Sequence, residues 1–141
     1  MMTAYCDGAC RVSNPGQTSC AFVLYDGDQE KEAKSLYLGP ELHTNNYAEY
    51  MGLTYLLRWL DEHGIKNVEI FSDSKVVVEQ VNQTMVINKS ELRVMASIAY
   101  SLLVRGRHKL IHVKGHDGNK GNERADRLCN EELDKAGIPR S

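Results

Sequence analysis

Residues 64–74 read Gly64-Ile65-Lys66-Asn67-Val68-Glu69-Ile70-Phe71-Ser72-Asp73-Ser74, and this stretch decides the fold. Gly64 ends a helix as a C-terminal cap. Val68-Glu69-Ile70-Phe71 is a short buried strand that stops at Ser72-Asp73-Ser74, and Ser74 or Asp73 can cap the next helix, over about 74–82. Upstream, Tyr47, Tyr50, Met51, Leu53, Thr54, Leu57 and Leu60 recur at helical spacing, in a helix that starts at Thr44 or Asn45 after the Gly39-Pro40 break. A strand set between helices enters its sheet by a crossover.

Working outward, 3–9, 18–26 and 32–39 read as three strands. They are separated by a turn over Arg11–Gln17 and a tight turn at Asp26-Gly27, and such short connections make an antiparallel meander. Downstream, 82–88 is a loop. A helix over about 90–104 turns Leu92, Met95, Ile98, Ala99 and Leu102 inward and ends at Gly106. Leu110-Ile111-His112-Val113 is the last strand. A loop with Gly115, Gly118 and Gly121 precedes a final helix over about 122–136, closed by Gly137. The expectation is an α/β fold with element order βββαβααβα: a mixed five-stranded sheet with helices on both faces. Ligands of such sheets gather at strand carboxyl ends, where Asp73 stands.

The 141 residues suffice for one domain, residues 1–141, with 42% apolar and 26% charged residues, as in ordinary soluble proteins. No run approaches the roughly 20 apolar residues of a membrane span, and the N-terminus lacks the basic start and apolar core of a signal peptide. A cytoplasmic location is therefore expected, with no membrane partner. Cys6, Cys10, Cys20 and Cys129 include no CxxC pair, which argues against structural zinc. They are expected as free thiols, although Cys6 and Cys20 could face each other on paired strands. A net charge of -2 and a pI near 6.2 argue against a general nucleic-acid binder, so phosphate binding would need local cations.

Four acids carry the chemical signal. Asp7 lies on the first strand, followed by Gly8. Glu49 is the acid of an otherwise apolar helical stretch. Asp73 closes a strand, and Asp126 lies on the last helix. Each has an ordinary alternative: a salt bridge for Asp7, a solvated helix position for Glu49, a helix cap for Asp73, an exposed charge for Asp126. Converging together, they would repel at neutral pH unless cations bound between them.

In Tyr5-Cys6-Asp7-Gly8-Ala9-Cys10, Thr44-Asn45-Asn46-Tyr47-Ala48-Glu49, Ser72-Asp73-Ser74, Val113-Lys114-Gly115-His116 and Asn122-Glu123-Arg124-Ala125-Asp126, the chain resembles type 1 ribonuclease H, in order and over nearly its whole length. The resemblance implies a ribonuclease H-like fold of the prokaryotic type. It implies an endoribonuclease that hydrolyses the RNA strand of RNA–DNA hybrids, leaving 5′-phosphate and 3′-hydroxyl ends. Asp7, Glu49, Asp73 and Asp126 would hold two Mg²⁺ or Mn²⁺ ions, one activating water and the other stabilising the leaving oxygen. His116 matches the family's mobile-loop histidine, suited to proton movement or product release. Asn14, Thr44, Asn45 and Asn46 would contact substrate, reading 2′-hydroxyls, base edges and phosphates. Asn14 also reads as a plain turn residue before Pro15, and Asn45 and Asn46 as helix caps.

Two departures stand out. Lys75 follows Asp73-Ser74 where some members carry Gln, and a cation there could hold phosphate. The short interval from Asp73 to His116 leaves no room for the extra helix and basic protrusion of some members, and no N-terminal hybrid-binding domain is expected. Lys89, Arg93, Arg105, Arg107 and Lys109 would supply a lesser basic surface or be ordinary solvated charges, giving modest, salt-sensitive affinity. A free-standing monomer is expected, with double-stranded RNA as a second candidate substrate. The competing readings are the nuclease domain of a reverse transcriptase, a non-catalytic hybrid-binding module and a protein whose cations only hold the fold.

Overall fold

The computed structural model describes residues 1–115 and 118–140. Strands β1 (Met2–Arg11) and β2 (Gln17–Asp26) pair antiparallel along their whole lengths, Met2 opposite Asp26 and Arg11 opposite Gln17. Strand β3 (Gln29–Tyr37) returns along β2. It begins at Gln29 rather than 32 because Gly27, at φ +60°, lets the chain reverse within two residues. Gln29, Glu30 and Lys31 are exposed on this edge strand, so no apolar alternation marks them.

Helix α1 (Asn45–Glu62) follows, then β4 (Glu69–Ser72), α2 (Lys75–Val81), α3 (Ser90–Gly106), β5 (Lys109–His112) and α4 (Lys120–Lys135). The sheet order is β3-β2-β1-β4-β5, with β4 parallel to β1 and β5 parallel to β4. The expected α/β order and mixed sheet are thus present. Strand β1 is central, antiparallel to β2 and parallel to β4, so the switch in strand direction falls on the strand carrying Asp7.

Alternation sorts the two faces. Ala4 and Cys6 of β1 and Phe22 and Leu24 of β2 bury against α1, α2 and α3 in the main core, with Leu53, Leu57, Leu60, Ile70 and Val77. Ala21 packs on the other face against Leu128 and Cys129 of α4, joined by Ala9. In α3 the inward stripe is Leu92, Ala96, Ala99 and Leu103, a 3.6-residue period. Met95 and Leu102 flank it, but Ile98, expected inward, is 36% exposed, because its place on the helix falls outside this stripe.

The four cysteines are free thiols. Cys6 lies opposite Phe22 and Cys20 opposite Gly8, so the alternative in which Cys6 and Cys20 face each other is out of register. Between α2 and α3 the chain runs through residues 82–89 with no helix. Of the basic residues there and beyond, Arg105 is bound to Asp61 at 3.3 Å, while Lys89, Arg93, Arg107 and Lys109 are exposed. None of the described helices is long and apolar enough to cross a membrane.

Candidate active site

Sheet register brings the first two acids together. Tyr5 of β1 is opposite Phe71 of the parallel strand β4, so Asp7 and Asp73 follow at matching positions two residues on. Ser74 caps α2, its hydroxyl accepting from the Val77 amide at 3.3 Å. Asp73 is therefore not consumed as the cap and its carboxylate remains for the site.

Glu49 arrives on α1, whose close approach depends on two glycines. A Cβ on Gly8 would meet the backbone of Ala48 and Glu49, and one on Gly52 would collide with the Asp7 carbonyl. With neither present, the first turns of α1 lie directly over Asp7-Gly8. Thr44 caps this helix, accepting from the Tyr47 amide at 3.1 Å. Gly52 was not picked out from the sequence; its signal was a glycine in the middle of an apolar helix, where it costs about 1 kcal/mol relative to alanine.

The result is a cluster in which Asp7, Glu49 and Asp73 each offer a carboxylate oxygen within 4.8 Å of the others. Asp7 is 5% and Glu49 6% exposed. The Gly8 amide donates to Asp7 Oδ1 at 2.9 Å and also to Glu49 Oε1. Among the described residues no cation forms an ion pair with any of the three.

Burial pushes the Asp7 carboxyl up to about 8, opposed by its hydrogen bond with Glu49 and reinforced by the charges of Asp73 and Asp126. Burial likewise drives Glu49 well above the ordinary carboxyl range, with the Asp7 charge adding to it. Burial and the neighbouring charges both favour retention of a proton on the Asp7–Glu49 pair where no cation is bound. Oxygen donors, buried negative charge and no protein counter-ion fit a hard divalent cation.

Asp126 is half-buried on α4 and lies outside the 4.8 Å set, yet it is near enough for its charge to raise Asp7. The structure thus brings three acids together and holds the fourth beside them. His116 lies outside the described residues. Gly115, before it, passes close to Asp73, where a Cβ would fall 3.1 Å from Oδ2.

Asn14 and Asn45 meet although 31 residues separate them, Asn14 Oδ1 accepting from the Asn45 amide at 2.9 Å. Both are exposed and line a shallow depression with Cys10, Val12 and Ser13. The loop is tied at its base by paired backbone hydrogen bonds between Gly16 and His43, of 2.9 and 3.0 Å. Thr44 and Asn46 are half-exposed on the same turn, and Lys75 is exposed at the start of α2. The groove of about 520 Å³ between α3 and β5 contains none of the acids.

The RNase H family model matches residues 1–134. The chain belongs to the RNase H family. Ribonuclease H of Clostridium botulinum is 31% identical over 95% of this chain and 96% of its own. RNase H1 from Halobacterium salinarum superposes with a TM-score of 0.84 at 34% identity, covering 95% of this chain and 98% of that one. LC11-RNase H1, solved in complex with an RNA/DNA hybrid, has the same TM-score at 27% identity over 96% and 99%. The RNase H fold expected from the sequence is therefore present, and the protein is a ribonuclease H enzyme with a carboxylate cluster able to bind metal.

Proposed function

We propose that this chain, as a monomeric single domain, hydrolyses the RNA strand of RNA–DNA hybrids at the Asp7–Glu49–Asp73 cluster. The observation that carries this reading is the convergence of three carboxylates from β1, α1 and the end of β4 with no cation paired to them among the described residues. LC11-RNase H1, of the same fold, binds such a hybrid. All the acids come from one chain, so no second copy is required.

With two divalent ions, Mg²⁺ or Mn²⁺, bound, the site would supply an activated water and stabilise the leaving 3′-oxygen, giving 5′-phosphate and 3′-hydroxyl ends. Asp7, Glu49 and Asp73 would hold the ions, and the buried charge of Asp7 is what divalent ions would neutralise. Asp126 would add a further carboxylate from α4 to hold the ions. His116 would move a proton or free product. The Asn14–Asn45 pair, with Thr44 and Asn46, offers neutral donors and acceptors to 2′-hydroxyls, base edges and phosphates. Lys75 supplies a phosphate contact. The exposed cations Lys89, Arg93, Arg107 and Lys109 add a salt-sensitive share of affinity.

Cleavage of an end-labelled hybrid with Mg²⁺, Mn²⁺ or EDTA, beside Asp7→Asn and a double-stranded RNA, tests this. Metal-dependent cuts in the RNA strand, lost in Asp7→Asn and slowed in His116→Ala, are expected. Binding of hybrid without cleavage under any metal would make the protein a binding module instead. Cuts in double-stranded RNA would show relaxed strand discrimination.

A further inference from the structure

Arg11 is a buried guanidinium, 6% exposed, at the end of β1. It donates from Nη1 to Asp134 Oδ1 and to the Ile138 carbonyl, each at 2.8 Å, and from Nη2 to the carbonyl and the Oδ1 of Asn130, each at 3.0 Å. Asn130 in turn donates from Nδ2 to the Asp126 carbonyl at 3.0 Å. A single side chain of the Asp7 strand thus grips the helix of Asp126 at Asn130 and Asp134, and Asn130 itself donates to the Asp126 carbonyl.

The geometry explains why this grip matters. Strand β1 presents Tyr5, Asp7, Ala9 and Arg11 to α4, and the helix runs in the same direction. Gly121 packs on the Tyr5 ring, where a Cβ would clash, and Asp134 meets Arg11. Six residues of strand span about 20 Å at ~3.3 Å each. Thirteen residues of helix, Gly121 to Asp134, also span about 20 Å at ~1.5 Å each. The Tyr5–Gly121 and Arg11–Asp134 contacts therefore act as end rungs, with Asp7 facing Asp126 between them. Asp126 stands outside the three-acid set, near enough for its charge to act on Asp7, so the seating of α4 would set its reach towards any ion held there.

We propose that Arg11 is a positioning residue that sets the distance from Asp126 to Asp7 by clamping α4 to β1, a role that rests on the proposed hydrolysis at this site. It touches neither substrate nor metal. The decisive experiment compares Arg11→Met, Arg11→Lys and Asn130→Ala with Ser35→Ala, which removes another sheet–α4 contact, Ser35 Oγ to Glu132 at 2.8 Å, that does not lead to Asp126. Mg²⁺ affinity is measured calorimetrically without substrate, and kcat and KM on a hybrid are measured well below each melting temperature.

Arg11→Met should lower kcat about tenfold or more with KM little changed, as expected for a misplaced reacting group. It should weaken Mg²⁺ binding about tenfold, as loss of supporting contacts around a metal site does. Arg11→Lys should recover part of both, Asn130→Ala should show a smaller loss of the same kind, and Ser35→Ala should resemble wild type. Wild-type kcat and Mg²⁺ affinity in Arg11→Met would overturn the proposal. So would equal losses in Ser35→Ala, which would reduce Arg11 to general stability. If Arg11→Met does not fold, Arg11→Lys and Asn130→Ala decide. If the wild type cuts no hybrid, the hydrolytic reading fails, and the Mg²⁺ affinities alone still decide the role of Arg11.

Discussion

One strand face carries two opposite electrostatic environments, four residues apart. At Asp7 a buried carboxyl has acids for neighbours and is pushed up to about 8 by burial. At Arg11 a buried guanidinium is hydrogen-bonded through both terminal nitrogens, and its exposed partner Asp134 is held down to about 2 by hydrogen bonds from Arg140 and Arg11. Folding satisfies the second group with protein alone. It leaves the first in deficit, a state that a protein maintains only where something else supplies the positive charge. The contrast separates a structural ion pair from a functional cluster without reference to any relative.

The largest expected effect breaks the acidic end. Asp7→Asn should lower hybrid cleavage by about a thousandfold, ~4 kcal/mol of transition-state stabilisation. The same change should raise the melting temperature of the metal-free protein near neutral pH, because Asn needs no proton uptake on folding whereas the buried Asp7 carboxyl does. A simple structural acid would show the reverse, so parallel activity assays and thermal melts separate the two cases.

Next comes Gly52→Ala. Its methyl would collide with the Asp7 carbonyl, moving α1 and Glu49 away. A cost of about 1–3 kcal/mol, typical of overpacking, is expected in denaturant titrations, with a loss of activity larger than that of a stability-matched surface variant.

How far the sequence revealed this is itself uneven along the chain. The helical spacing of α1, the short strand before Asp73 and the order of elements follow from local pattern, so all were legible. The convergence of Asp7, Glu49 and Asp73 was suggested by acids standing at strand ends and on an apolar helix, and by the motifs around them. The Arg11 clamp was not: Arg11 read as the start of a turn, and its partners lie 119 to 127 residues away. Long-range partners leave no periodic trace, and a lone arginine is ordinarily a surface residue. Asp126 was grouped with the other acids, but its separation from them depends on the docking of α4, which local pattern does not encode.

A third, smaller effect concerns pH. The folded Asp7 binds its proton more tightly than the unfolded chain does, so stability is greatest below the ordinary carboxyl range. It should decline as pH rises from about 3.8 towards about 8 in metal-free protein. The Asp134 pair has the opposite sign, contributing above pH 3.8 and fading as pH falls towards about 2. Melts across pH 5–9 in EDTA should therefore slope downward, and saturating Mg²⁺ should flatten the slope. The smallest effect is that of Asp134→Asn. Its melting curve is expected to lie close to that of wild type, since the carboxylate is exposed and Arg11 keeps its carbonyl partners.

The most direct test of the central claim is a calorimetric Mg²⁺ titration of wild type and Asp7→Asn near pH 7.5, repeated in two buffers of different ionisation enthalpy so that proton release is counted. The account predicts that wild type binds Mg²⁺ and releases a proton from the Asp7–Glu49 pair, and that Asp7→Asn loses most of both. Absent binding in the wild type, or equal binding and proton release in the two proteins, would contradict it.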